Sequence, residues 1–452
     1  MEKEEMTYKL PEGWIWTTID EIGIVQSGGT PSTRNNEFWG NEISWITPAD
    51  LSGYDKKYIS KGNRSISKTG LDYSSAKLLP KGTILFSSRA PIGYTVIAKN
   101  DLATNQGFKN LIPTKSLNSE YVYYYFQTLK SQAEKVASGT TFLELSATKF
   151  SQLPFPLAPL QEQQGIVSKI ESLFSELDQA EKGLQKAKQQ LEVYRQALLK
   201  SAFEGKLTAE WRKDNNPESI EILLKQIENE RREHYKQELD DWNAALLEWH
   251  KGNKKGRKPV KPRFPSFSKT RNYKIDKVYG KLPDSWTYTV LSEISHYITD
   301  GDHQAPKKSE VGIPFITISN IENNIIDFEN TFFVSDLYYD SLLDYRKPQK
   351  GDVLYTVTGS YGIPVLVDFE KKFCFQRHIG LIRPVSLTNS AWLFYLMQSK
   401  QISDQATISA TGTAQKTVGL NSIRNFVVPF CSYNEQILIV EKLDSQLSII
   451  TK

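Results

Sequence analysis

LPEGWIWTTIDEI occupies residues 10–22, and LPDSWTYTVLSEI occupies residues 282–294. Leu, Pro, Trp, Thr, Glu and Ile recur in the same places 272 positions later. An internal repeat explains this, and repeats decide a fold before any local reading does. The match continues along the chain. ISWITPADL (43–51) faces IPFITISNI (313–321), offset by 270. LPKGTILF (79–86) faces PQKGDVLY (348–355), offset by 269. KNLIP, ending at Pro113, faces GLIRP, ending at Pro384. SGTTFLELSATKFSQLPFP (138–156) faces TGTAQKTVGLNSIRNFVVP (411–429), and EQQGIVSKIESL (162–173) faces EQILIVEKLDSQ (435–446), both offset by 273. The chain is therefore two copies of one module, each a mixed domain followed by a helix.

Within each domain, GTILFSS and GDVLYTV are short apolar runs after a glycine turn and are predicted as strands, with YTVIA and IPVLVDF as partners. EYVYYYFQTLKSQ and SAWLFYLMQSKQI are predicted as helices that bury aromatic residues. Strands on both sides of such helices indicate an α+β class: two similar mixed α/β domains.

The helix after the first domain carries an apolar seam. Ile166, Leu173, Ala180, Ala187 and Tyr194 hold one heptad position, and Ile170, Leu177, Leu184, Leu191 and Leu198 the other. Pro159 precedes it and Gly205 marks its end. Some 45 residues at 1.5 Å each give a rod of roughly 70 Å. Such a seam needs a partner, and the second copy supplies Ile439, Leu443, Leu447 and Ile450. Antiparallel rods would relate the domains by a pseudo-twofold axis. A further helix is expected after Asn216 as cap and Pro217 at the first turn. Its apolar positions run from Leu223 to Trp249, with ENERREHYKQELDD as a solvated face, and it could bring the chain back along the rod. The expected order is a domain over 1–158, a coiled-coil helix over 159–206, a helical segment with a linker over 207–280, a domain over 281–431 and a distal helix over 432–452. Copy one runs about 27 residues past the position matching Lys452, so the second rod is expected to be short.

The 452 residues, 39% apolar and 24% charged, have an ordinary soluble composition. No run reaches the ~18–20 apolar residues of a membrane span. The start, MEKEEMTYKL, has no apolar signal core, and Cys374 and Cys431 suit thiols in a reducing cytoplasm. The net charge of +4 hides an uneven distribution. Residues 251–281 hold twelve Lys or Arg and one acid, Asp276, giving +11. This Pro-rich stretch is expected to be an extended linker, whose charge could meet phosphates or simply be solvated.

Catalytic signatures are missing from the sequence. There is no GxxxxGK[ST] loop, no Pro-Pro-aromatic motif of an adenine methyltransferase and no nucleophilic cysteine context. Asp300, Asp302 and His303 bunch in TDGDHQAP, but their counterpart QSGGTPST has neither acid nor histidine, so a polar loop is expected there rather than a metal site. SSRAPIG (87–93) faces TVTGSYG (356–362): Arg89 stands opposite Thr358 and Ile92 opposite Tyr361. Framework residues match while the tips differ, as in two readers of different targets or in loops free to drift.

LPEGW, SGGTPS, ISWITPADL, LLPKGTILFSSRAPIG, NQGFKNLIP, SGTTFLELS, FPLAPLQEQQGIVSKIE and LLKSAFEGKLTAEWR together resemble the specificity subunits of Type I restriction–modification enzymes, over essentially the whole chain. The resemblance implies two target-recognition domains, each reading half of a split sequence in double-stranded DNA, with helices that set the gap. It implies docking of two methyltransferase subunits, which use S-adenosylmethionine to methylate adenine at N6, and of two restriction/translocase subunits, which use ATP and Mg²⁺. The chain itself would be a non-catalytic subunit without cofactor or metal. Candidate DNA contacts in the first domain are Thr30, Ser32, Arg34, Ser88, Arg89, Gln106, Lys109 and Thr141. In the second they are His303, Thr358, Ser360, Tyr361, Gln376, Arg377, His378, Gln415 and Lys416. The arginines suit guanine and the glutamines adenine. Two other classes remain open: a self-contained enzyme with divergent motifs, and a coiled-coil scaffold whose domains bind something other than DNA.

Overall fold

The computed structural model describes residues 9–89, 91–139, 143–254, 258–262, 264, 280–303, 306–413 and 415–448. Thr141 and Ile450 lie outside the described residues, as does most of the basic linker. The chain divides into two compact units, 1–184 and 185–452.

The first unit holds the first module. Strands β1 (Ile15–Thr18) and β10 (Pro154–Leu157) pair antiparallel and clip the start of the domain to its end. A five-stranded sheet runs β2 (Gly23–Ser27), β9 (Phe108–Pro113), β6 (Ile84–Ser88), β7 (Ile92–Ala98), β4 (Tyr58–Ile59). A three-stranded sheet runs β5 (Arg64–Ile66), β3 (Trp39–Ile46), β8 (Ala103–Thr104). Helices α1 (Lys68–Asp72), α2 (Ser119–Thr128), α3 (Lys130–Val136) and α4 (Ala147–Ser151) complete the domain. The EYVYYYFQTLKSQ stretch is thus two helices broken at Leu129, not one. Asn118 caps α2 by accepting from the amides of Glu120 (2.8 Å) and Tyr121 (3.2 Å).

The run at residues 84–86 in β6 is apolar because the strand is covered on both faces. Ile84 and Phe86 enter the core with Phe126, Phe150 and Phe155, while Leu85 enters a second core with Ile46, Val96 and Phe108. Gly82, at φ +89°, and its counterpart Gly351, at φ +95°, make the left-handed turn before this strand that glycine alone adopts readily.

The second module repeats the plan. β11 (Thr287–Val290) pairs with β21 (Val427–Phe430). A four-stranded sheet runs β12 (Ser295–Asp300), β20 (Ile379–Pro384), β17 (Val353–Thr356), β18 (Pro364–Leu366). A three-stranded sheet runs β16 (Phe332–Val334), β13 (Ile313–Ile316), β19 (Cys374–Phe375), and β14 (Ile321–Glu322) pairs with β15 (Ile325–Ile326). The helices are α8 (Asp336–Ser341), α9 (Ser390–Met397), α10 (Lys400–Ser409) and α11 (Leu420–Arg424). Strand β17 repeats the two-sided burial: Val353 and Tyr355 face one core, Leu354 the other.

Helix α5 (Leu160–Phe203) leaves the first module, and α12 (Tyr433–Ser448) leaves the second. Inside the second unit, Leu198, Leu199, Ala202 and Phe203 of α5 share a core with Ile439, Leu443 and Leu447 of α12. Thr208, just past α5, bonds Glu435 at the start of α12. Arg195, upstream, bonds Gln398, near Tyr395, which itself bonds Asp444 late in α12. The two helices therefore run antiparallel. The expected seam is not closed along its length. Leu173, Leu177, Leu184 and Leu191 are 50%, 63%, 72% and 44% exposed, because α12 covers only the last turns of α5.

Short helix α6 (Ala209–Asp214) leads to α7 (Ile220–Lys251), which starts at Ser219 rather than at the expected Asn216–Pro217. Its first apolar residues, Ile220, Leu223, Leu224 and Ile227, join the second unit's core. Its polar middle is solvated on one side, with Arg232, Glu233, Lys236 and Gln237 exposed, and packs on the second module with the other. Glu230 accepts from Ser386 N (2.9 Å) and Oγ (2.6 Å) and bonds His296, and Glu238 bonds Tyr297. The helix thus follows β12 rather than the rod.

Candidate nucleic-acid interface

Antiparallel pairing brings the ends of β2 and β6 and the starts of β9 and β7 to one edge of the first sheet. The ends of β12 and β17 and the starts of β20 and β18 meet likewise in the second. Loops cluster at each edge, on frameworks that share several hydrogen bonds. Ser87 Oγ donates to Pro91 O (2.7 Å) and accepts from Tyr94 N (2.8 Å); Thr356 Oγ1 donates to Ser360 O (2.8 Å) and accepts from Ile363 N (2.9 Å). Ser88 N donates to Gly107 O and Val357 N to His378 O. A Cβ on Gly28 would lie 1.9 Å from Asn105 O, and one on Gly301 1.9 Å from Phe375 O, so both loops need glycine.

On the first framework, Thr30 donates to Gln106 Oε1 and Arg89 pairs with Glu144 at 3.6 Å. Lys109, 6% exposed, donates to Gln106 O (3.4 Å). Burial pushes its pKa below the usual lysine range, Glu144 pulls it back up, and Arg89 pushes it further down. Ser88 is buried, and its backbone ties this strand to the neighbouring loops. Ser32 and Arg34 are exposed on the loop after β2, where Ser32 Oγ accepts from Arg34 N. The structure therefore gathers Thr30, Arg89, Gln106 and Lys109, and leaves Ser32 and Arg34 further along the loop.

The second framework carries different chemistry. Thr358 is buried, and Thr417 Oγ1 donates to its hydroxyl (3.3 Å). Gly359 N donates to Lys416 O (3.0 Å), and Gln415 lies beside Gly359. Arg377 is exposed; its N donates to Asp302 O (3.1 Å) and its Nε to His378 Nε2 (3.4 Å). Burial, then Arg377, pushes the pKa of His378 down. Gln376 N donates to Ile316 O (3.0 Å), and Asp302 pairs in a bridge with Gln376. Ser360 is exposed, and Tyr361 OH donates to Thr407 Oγ1 (3.4 Å). Asp300 is engaged by His303 (3.0 Å) and Arg346 (3.6 Å), and Asp302 by Tyr338 (2.9 Å).

Sequence reading missed Glu144, whose repeat partner is Thr417, and the staples that join each domain to its rod. Trp14 Nε1 donates to Glu162 (2.7 Å), as Trp286 Nε1 does to Glu435 (2.9 Å). Gln163 accepts from Asn118 N (2.9 Å) and donates to Ala158 O (2.8 Å). Gln436 accepts from Asn389 N (2.8 Å) and donates to Cys431 O (2.9 Å). The repeated EQ dipeptide was the available signal.

The family model described as the Type I restriction modification DNA specificity domain matches residues 11–189 and again 283–452. The chain belongs to the Type I restriction modification DNA specificity family. Among curated members, the MjaIX specificity subunit of Methanocaldococcus jannaschii is 44% identical over 177 residues, 39% of this chain and 41% of that one. The EcoBI specificity subunit of Escherichia coli is 24% identical over 441 residues, 96% of this chain and 79% of that one. The matches span less than half the length of the first curated relatives. Two solved structures share the fold at 16% identity. A chain from a type I R-M system has a TM-score of 0.62, with 98% of this chain and 92% of that chain covered. The HsdS subunit from Thermoanaerobacter tengcongensis has a TM-score of 0.57, with 99% and 92% covered. Among the described residues of this specificity-family chain, no helix is long and apolar enough to cross a membrane.

Proposed function

We propose that each loop cluster reads one half of a bipartite site in double-stranded DNA. One observation carries this reading: two frameworks that share their hydrogen bonds at Ser87/Thr356 and Ser88/Val357 place different side chains at the loop edge, Arg89, Gln106 and Lys109 on one and Thr358, Arg377 and Gln415 on the other. Backbone amides and lysines position the duplex, and arginine and glutamine reach base edges in the major groove. The chain acts as the non-catalytic specificity subunit. The exposed leucines of α5 offer an apolar stripe to a partner, which supports docking of two adenine-N6 methyltransferase subunits. Those subunits bring S-adenosylmethionine, and two restriction/translocase subunits use ATP with Mg²⁺.

The test is adenine-methylation mapping in a host lacking methylation, with this chain expressed beside its methyltransferase. A split, asymmetric motif with a fixed gap is expected, and no motif from a stable complex would overturn the reading. Arg89→Ala should relax or abolish recognition of one half-site only. An equal loss on all sequences would make Arg89 a phosphate contact.

A further inference from the structure

Helix α7 lies between the two segments that the family model matches, and no segment of the first module matches it. Its first half is anchored on the second module. Going up α7, Glu230 and His234 meet His296, and then Glu238 meets Tyr297. Helix and β12 therefore run the same way, toward the loop at residues 301–303. β12 ends at Asp300, three residues beyond Tyr297, or about 10 Å. α7 continues thirteen residues beyond Glu238, or about 20 Å. Its tip thus extends past the level where the loops of the candidate interface begin.

At the tip, the chain turns through Asn253 (φ 53°) and Lys254 (φ 61°). The described residues 258–262 and 264 then lie back along the helix. Lys258 sits over the Trp249 ring at 6.0 Å. Trp242 Nε1 donates to Pro259 O (3.2 Å), and Lys261 sits over the Trp242 ring at 5.5 Å. Phe264 meets Tyr235 edge-on at 5.0 Å. Aromatic residues seven apart, at 235, 242 and 249, thus hold a strap of alternating lysine and proline. Proline keeps such a strap extended, and the two indole rings, Trp249 and Trp242, each steady a lysine stem. Lys251, Lys254, Lys258 and Lys261 are all exposed. Among the described residues, Lys251 pairs with Glu248 (2.7 Å), while Lys254, Lys258 and Lys261 have no carboxylate within ion-pair distance.

We propose that the tip of α7 and its strap form an arm that grips the phosphate backbone of duplex DNA, beside the half-site bound by the second module. The arm rests on the DNA-reading function proposed above and adds a contact that the first module lacks. Its ligand is the phosphodiester backbone, without base preference, because ammonium groups held in a row meet charge and not base edges.

The test uses the full chain and the triple variant Lys254→Gln/Lys258→Gln/Lys261→Gln. Affinity for a duplex carrying the recognised site, and for a scrambled duplex, is measured across a salt series. Each lost phosphate contact lowers the log–log salt slope by about 0.9. The triple variant should lose roughly 2–3 in slope, with equal weakening on both duplexes. Hydroxyl-radical protection should extend further past one half-site in the unmodified chain and shrink on that side in the variant. An unchanged slope and footprint would overturn the arm and point to an acidic protein face as its partner. Absence of salt-dependent duplex binding by the unmodified chain would instead overturn the DNA-reading function, and the arm with it.

Discussion

Trp14 and Trp286 staple each domain to its rod through Glu162 and Glu435, but the two carboxylates sit in different surroundings. Glu162 is exposed. Glu435 is fully buried and also accepts from Thr208 Oγ1 (2.6 Å) and from Arg212. Glu435→Ala leaves a half-buried guanidinium, an indole N–H and a hydroxyl without this acceptor and should cost about 3–5 kcal/mol. Glu162→Ala should cost about 1 kcal/mol. Urea unfolding of the two variants checks the contrast, and equal losses would refute it. Lys109 makes the opposite case. A buried ammonium with a depressed pKa is a strain on the fold, tolerated where a phosphate can meet it. Lys109→Met should stabilise the chain by about 1 kcal/mol while weakening duplex binding, as read by thermal unfolding and by fluorescence anisotropy.

Helix α7 shows how an element can be legible while its attachment is not. Heptad spacing of Tyr235, Trp242 and Trp249 announces a helix. Nothing in that spacing says that Glu230, His234 and Glu238 face β12. The contact carries a pH dependence. Burial, then His234, pushes the pKa of His296 down, with Glu230 pulling it up and Arg231 adding to the depression. Folded His296 therefore stays neutral where unfolded histidine, near 6.5, takes up a proton. The unfolded state then binds more protons, so stability falls as pH drops through and below about 6.5. Thermal unfolding at pH 7.5 and 5.5 should show the loss, and His296→Gln should flatten it. An unchanged slope in the variant would remove His296 as the cause.

At the scale of the whole molecule, α5 is one unbroken helix of 44 residues that joins the first domain to the second unit. Removing one heptad between Ile166 and Leu198 shortens it by about 10 Å. At about 3.4 Å per base pair, the gap between half-sites should contract by roughly 3 base pairs. Methylation mapping of the shortened chain checks this, and an unchanged gap would refute a ruler role for the helix. The exposed Leu173, Leu177, Leu184 and Leu191 belong to the same scale. An apolar stripe of that length is stable in water when something covers it.

Duplication and the α5 seam were legible because each is periodic, and the strand runs because continuous apolar stretches follow a glycine turn; both signals survive without knowledge of contacts. LPEGW and LPDSW marked equal modules, and the apolar runs of β6 and β17 announced strands. The loop tips of the candidate interface were legible only as polar stretches. That Arg89 meets Glu144, that Lys109 is buried, and that Glu435 collects Trp286, Thr208 and Arg212 join residues tens to hundreds of positions apart. A carboxylate's partners and its solvation are set by which elements pack around it, and no local pattern encodes that. Glu162 and Glu435 share one motif, and tertiary structure alone leaves one in water and buries the other.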